Sequence, residues 1–207
     1  MASSRIGVIS DTHGSLPDPA YHLLEGAWSD EELAQSILVA SEVSYLAEGG
    51  VSLVEADAES VRSRPCDLIL HAGDIGSQII LDELGAIART VAVLGNNDYA
   101  TYWCSDGEVR DLRSLTHEGV DIFMQHIPKE MEVSMCGRPP LRPALVIKVP
   151  DLSVHGHTHI PCLEAIGSRI VLCPGSPSQA RRGSGHAAAL VDVEEGRLAR
   201  IALVRLP

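Results

Sequence analysis

Aromatic side chains make up only 3% of the 207 residues, so Val, Ile, Leu and Ala have to fill any core. Basic residues are also scarce. Sixteen Lys and Arg face 28 Asp and Glu, a formal charge of −12, and no Lys/Arg stripe occurs. That argues against extended contact with a nucleic-acid backbone. A small phosphorylated substrate remains compatible, because bound cations reverse the field locally. No apolar run approaches the ~18 residues needed to span a bilayer, which predicts no membrane segment. The first strand follows directly on Arg5, which predicts no signal peptide and a cytoplasmic setting. The five cysteines (Cys66, Cys104, Cys136, Cys162 and Cys173) are odd in number, dispersed and never spaced as C-x-x-C. They argue against a disulfide framework or a zinc ribbon and read as reduced, mostly buried thiols.

What the chain does have is short apolar runs ending in Gly, Asp, Asn or His. Its length suits one domain, 1–207, burying roughly 70% of the unfolded surface. Strands are expected at 5–10, 67–71, 90–94, 119–126, 144–149, 152–155, 160–166, 169–173, 186–193 and 198–205. Helical segments lie early and strands dominate the last third. Two packed sheets flanked by helices follow, with a hairpin pair closing the C-terminus. The connection from Leu16 to Pro65 is long for a strand–helix–strand unit, and reads as a helical insertion at about 16–65. Ser29 and Glu32 make a capping box, and Leu33, Ile37, Leu38, Tyr45 and Leu46 form an apolar face, predicting a helix near 30–48. The surplus residues either overhang the site or thicken the outer helical layer.

Chemistry-bearing residues sit at the ends of these runs. Asp11-Thr12-His13, Gly73-Asp74, Gly95-Asn96-Asn97-Asp98, Gln125-His126 and His155-Gly156-His157-Thr158-His159 are expected to converge on one sheet edge. Asp11 and Asp74 offer carboxylates, His13, His126, His157 and His159 imidazoles, and Asn96 an amide oxygen. Seven ligands are too many for one tetrahedral ion, and suit two ions ~3.5–4 Å apart. Two carboxylates against two divalent ions leave net positive charge for a hydroxide and a phosphate ester anion. Mixed N/O ligation suits Mn, Fe, Zn, Ni or Co, with Mn placed first, and disfavours Ca.

These five motifs, in this order and followed by Pro174-Gly175-Ser176, resemble the calcineurin-like metallophosphoesterases, and most of all the small YfcE-type phosphodiesterases. The resemblance runs from Ile6 to about Arg182. It implies a four-layer α/β/β/α sandwich of two mixed sheets. It places Asp11, His13, Asp74 and His159 on a first metal, and Asn96, His126 and His157 on a second, with Asp74 bridging. It implies in-line attack of a metal-bridging hydroxide on a phosphoester, with Asn96 and Asn97 assisting at the phosphate. Many relatives carry His where this chain has Asn97. An amide cannot act as an acid at neutral pH, so phosphodiesters with good leaving groups are expected over phosphomonoesters.

Other residues read more plainly. His71, Asp98 and His155 are candidates to support ligands from behind, with structural hydrogen bonds as the alternative. Arg181 and Arg182 are candidate phosphate contacts, with a solvated face as the alternative. Ser176 lacks a G-x-S-x-G elbow and reads as a turn residue. His22, His117 and His186 lie outside the motifs. Ile160 and Pro161 break the metallo-β-lactamase pattern, and a first-strand D-x-H departs from the amidohydrolase H-x-H. The competing function is a catalytically silent scaffold for protein–protein interaction, as in the retromer subunit of similar fold. Homo-oligomerisation is left open.

Overall fold

The computed structural model describes residues 3–57, 64–99, 109, 111–128 and 149–207. In chain order the elements are β1 (Ser3–Ile9), α1 (Asp18–Glu25), α2 (Asp30–Gln35), β2 (Ile37–Tyr45), β3 (Val51–Ala56), β4 (Leu68–His71), α3 (Gln78–Ile87), β5 (Arg89–Ala92), β6 (Leu112–His117), β7 (Val120–Gln125), β8 (Leu152–Val154), β9 (Cys162–Ile166), β10 (Arg169–Cys173), β11 (Ala187–Glu194) and β12 (Arg197–Arg205). They form a seven-stranded sheet, β3-β2-β12-β11-β1-β4-β5, and a five-stranded sheet, β6-β7-β8-β10-β9. Both sheets are mixed. In the first, β1, β4 and β5 are parallel and the rest antiparallel. In the second, β7, β8 and β10 are parallel, flanked by antiparallel β6 and β9.

Period-2 alternation builds two cores. Ile6 and Val8 of β1, with Val191 and Val193 of β11, face Ile122, Met124, Leu152, Val154, Ile170 and Leu172 across the inter-sheet layer. Ile9, Ile69 and Leu190 face the other way, onto Leu23 and Leu24 of α1 and Ile80 and Leu84 of α3. Phe123 is the one aromatic residue in the buried set of the described residues, so aliphatic side chains fill both layers as expected. The α/β architecture of two packed mixed sheets agrees with the expectation. Among the described residues the helices cover the seven-stranded sheet. The strand expected at 144–149 lies outside the described residues except for Val149.

The 16–65 connection departs from the helical insertion. The capping box forms, with Ser29 Oγ accepting from Glu32 N and the Glu32 carboxylate accepting from Ser29 N. The helix it starts ends at Gln35 rather than near 48. Ile37–Tyr45 is instead a strand that lies along β12, with Ala40 opposite Ala202 and Val39 opposite Leu203. β3 then folds back on β2 and becomes the sheet edge. The apolar residues at 37, 38, 45 and 46 fit a helical period in isolation. β-Branched Ile37, Val39 and Val43 also favour a strand, and pairing with β12 decides between the two. β6 was absent from the expected strands as well. It closes as a hairpin with β7 through Glu118 and Gly119, both at positive φ. A matching Glu195–Gly196 turn joins β11 to β12, the hairpin expected at the C-terminus.

Candidate metal centre

The strand register brings the five motifs together. β1, β4 and β5 are adjacent and parallel, so the loops carrying Asp11, Asp74 and Asn96 leave the same edge. Parallel β7 and β8 deliver His126 and the His155–His159 segment to that edge from the second sheet.

Donor atoms face one another at short range. His159 Nε2 is 3.2 Å from Asp11 Oδ1, and His13 Nε2 is 3.4 Å from His159 Nε2. His126 Nε2 is 3.5 Å from Asp74 Oδ2 and 3.9 Å from Asp11 Oδ1. His13 Nε2 lies 3.7 Å from Asp74 Oδ2, and His157 Nδ1 3.0 Å from Asn96 Oδ1. Two atoms each about 2.1 Å from a common cation stand about 3.0 Å apart at a right angle and about 3.4 Å apart at the tetrahedral angle. Three of these six separations fall in that span and the other three lie at 3.5, 3.7 and 3.9 Å. Asp11, His13 and His159 form one compact group, and Asp11, Asp74 and His126 a second. Asp11 therefore belongs to both, while Asp74 stands between His13 and His126.

The rings are oriented from behind. His126 Nδ1 donates to the Ala72 carbonyl at 2.8 Å, which leaves Nε2 as a lone pair pointing inward. That atom is buried and has no hydrogen-bond partner, the condition of a nitrogen placed for a cation. His159 Nδ1 donates to the Gln179 carbonyl and so presents Nε2 in the same way. Asp11 Oδ2 accepts from Ser10 Oγ at 2.7 Å and from His157 N at 3.1 Å.

The local field favours positive charge. Burial raises the pKa of Asp11 above the usual carboxylate value. Burial pushes Asp74 the same way, but His126 and the donors of Asn97 outweigh it and hold it low. Burial would lower His126, yet Asp74 and Asp11 overcome that and raise it. Two carboxylates that raise an imidazole against its own burial make a place that favours positive charge. His157 and His159 are held below the usual imidazole value, chiefly by burial, and stay neutral and able to ligate at pH 7. Asp11, His13, Asp74, His126 and His159 fit a divalent cation in donor chemistry and spacing, while His157 Nδ1 and Asn96 Oδ1 pair with each other beside them.

Backbone strain concentrates here. Five of the seven expected ligands, Asp11, His13, Asp74, His157 and His159, have φ between 47° and 69°, in the left-handed region. Non-glycine residues adopt it at a cost of about 1 kcal/mol or more, and such strain gathers at functional sites. Close packing adds to it. A Cβ on Gly95 would fall 2.0 Å from Asp74 Oδ1, and one on Gly73 within 2.8 Å of the His126 ring.

The supporting candidates resolve into loop staples. His71 is fully buried. Its Nδ1 accepts from Gly73 N, so Nε2 donates to Thr12 Oγ1, which donates to the Ile75 carbonyl. Burial drives its pKa to about 3 and keeps the ring neutral. Asp98 accepts from the backbone N–H groups of Gly95, Ile75 and Gly76, tying the Asn96 loop to the Asp74 loop. Both act on backbone beside the ligands. His155 is buried with Nδ1 on its neighbour's carbonyl oxygen, that of Gly156, and is outside both ligand groups. Arg181 donates to the His157 carbonyl, while Arg182 is exposed at φ 53°. Asn97 turns its amide onto Asp74. Sequence reasoning missed Ser10, Ser178 and Gln179. Ser176 donates to the Asp11 carbonyl and accepts from Ser178 N and Gln179 N, so the turn residue also anchors a ligand's backbone. Ser178 Oγ donates to the Thr12 carbonyl. Adjacency of these residues to D-x-H and P-G-S was the available signal.

The described cysteines are free, and burial raises their thiols to about 11 or 12, which keeps them unreactive. Among the described residues no helix is long and apolar enough to cross a membrane.

Known proteins resemble this chain in sequence or in fold. This chain is similar to a probable metallophosphoesterase of Methanocaldococcus jannaschii, 30% identical over 123 residues, which are 56% of this chain and 55% of that protein. The matched stretch thus spans about half of that relative's length. It is also similar to a probable metallophosphoesterase of Methanothermobacter thermautotrophicus, 30% identical over 179 residues, 85% of this chain and 78% of that protein. In fold it matches an archaeal phosphodiesterase, with a TM-score of 0.58 and 18% identity over 96% of this chain and 99% of the other. It also matches Vacuolar Protein Sorting 29 of Cryptosporidium parvum, with a TM-score of 0.59 and 15% identity over 99% of both chains. The profile of the calcineurin-like phosphoesterase superfamily domain matches residues 5–196, and the chain belongs to that superfamily.

Proposed function

We propose that this protein is a phosphoesterase that uses two divalent cations, with phosphodiesters preferred over phosphomonoesters. The observation that carries the reading is the inward face of the site, where the buried, unpartnered Nε2 of His126 meets the carboxylates of Asp11 and Asp74. Asp11, His13 and His159 would hold one cation and Asn96, His126 and His157 the other, with Asp74 between them. Such a pair, Mn first among Mn, Fe, Zn, Ni and Co, supplies acidified water for in-line attack and offsets the charge of the phosphoester.

This chain's own residues do the rest. His126 and His159, each tied to a backbone carbonyl, hold their ligand nitrogens in one orientation. Arg181, fixed on the His157 carbonyl, is assigned to meet the substrate's anionic oxygens. The residue directly after Asn96 is Asn97 and not a histidine, so proton delivery to a poor leaving group is weak. A small phosphodiester with an aryl-type leaving group, in a cytoplasmic setting, fits these features.

The test is hydrolysis of bis(p-nitrophenyl) phosphate by protein reloaded with Mn²⁺, beside an alkyl phosphomonoester. Turnover of the diester that chelator abolishes and Mn²⁺ restores is expected. The fold shared with a vacuolar sorting protein supports a second reading, a scaffold for protein–protein interaction. Tight Mn²⁺ binding without turnover of any phosphoester would favour it and overturn the first.

A further inference from the structure

The two carboxylates of the site are clamped by different neighbours. For Asp11 the clamp is Ser10 Oγ together with the backbone N–H of His157. For Asp74 the short donors among the described residues come from Asn97. Asn97 N donates to Oδ1 at 2.9 Å and Asn97 Nδ2 donates to Oδ2 at 2.6 Å. His126 Nε2 and His13 Nε2 stand farther off, at 3.5 and 3.7 Å. Asp74 is also the residue placed between the imidazoles of both proposed cation positions. Its backbone is in the left-handed region at φ 53°.

We infer that Asn97 is a positioning residue for the bridging carboxylate, acting on cation affinity through Asp74 and not through contact with the phosphate. This rests on the cation-binding reading of the site. A carboxylate that would be shared by two cations has to keep its rotation about the Cβ–Cγ bond, because turning it would carry its oxygens away from the neighbouring imidazoles. Two donors from one residue, one on each oxygen, fix that rotation. Gly95 completes the clamp sterically, because its missing side chain leaves room for Oδ1. An amide suits the task, since it is neutral at every working pH and donates without competing for the cation. A histidine there would have to choose between the carboxylate and the substrate. The Asn97 backbone donor survives replacement by alanine, so that mutation isolates the side-chain bond.

The experiment titrates Mn²⁺ alone into metal-stripped wild type and Asn97→Ala by calorimetry. Inorganic phosphate is then titrated into each protein saturated with Mn²⁺. Asn97 is exposed, so the variant's thermal unfolding without metal is expected to match wild type. The expected result is a 10–100-fold loss of Mn²⁺ affinity, the usual cost of removing a group behind a ligand, with phosphate affinity changed less than twofold. Unchanged Mn²⁺ affinity with weakened phosphate binding would overturn the assignment and make Asn97 a substrate contact. A wild-type protein that takes up no Mn²⁺ would also overturn it. Neither titration uses turnover, so a protein that binds Mn²⁺ but hydrolyses nothing defeats the phosphodiesterase reading without deciding the role of Asn97.

Discussion

Asn97 also sets the chemistry that the site lacks. Its amide cannot protonate an alkoxide, whereas an imidazole at the same place can. Asn97→His, assayed at saturating Mn²⁺ to cancel any change in metal affinity, should speed hydrolysis of alkyl phosphomonoesters by about 10-fold or more, within the ~10²–10⁴ range of general acid catalysis. Aryl diesters, whose leaving groups need little protonation, should change less. Equal rates for both enzymes on the alkyl monoester would remove leaving-group protonation as the basis of the diester preference. Most ligand residues were legible at this scale because they sit in short motifs with Gly, Asp or His, and His126 was legible from its place at the end of an apolar run. The groups behind them were not. Ser10 and Gln179 act through Asp11 Oδ2 and His159 Nδ1, and nothing in their own side chains announces which ligand they will meet.

At the scale of elements, the site depends on loops being tied to each other as much as on strands carrying them. Asp98 accepts three backbone hydrogen bonds while fully buried, bridging the loops after β4 and β5. Asp98→Ala leaves those donors unpaired, and should lower the free energy of unfolding in urea by about 3 kcal/mol. Mn²⁺ affinity should fall with it, because Asn96 and Asp74 lose their shared anchor. A variant as stable as wild type would show that Asp98 is not the staple. Elements also mark where local reading stopped. Strands β1, β4, β5 and β7–β12 carry apolar runs between turn residues, and they stand close to where those runs lie. The segment from Ile37 to Tyr45 carries a pattern that suits either period, and its partner β12 lies more than 150 residues away in sequence.

For the whole molecule, pH acts through groups buried at the junction of the sheets. His71 is held neutral with a pKa near 3, against about 6.5 when unfolded. The unfolded chain therefore binds one more proton between those values. The stability contributed by neutral His71 is fully present above pH 6.5 and declines as pH falls towards 3. His71→Asn keeps an acceptor at the level of Nδ1 for Gly73 N, gives up the longer reach to Thr12, and removes the titration. Between pH 7 and 4.5, in chelator, wild type should lose about 2 kcal/mol more stability than the variant in urea unfolding. Parallel losses would mean that His71 is protonated, or solvated, in the folded protein.

By itself the sequence determined which side chains could bind a cation and the alternation that buries β1 and β11 on both faces. Those properties belong to residue types and their spacing along the chain. Only the tertiary structure decided that Ile37–Tyr45 is a strand, that Asp11 lies in both ligand groups, and that Asn97 turns its amide onto Asp74. Each of these depends on which distant segment becomes a neighbour, and pairing free energy gathered over a whole sheet outweighs the small preferences of any one stretch.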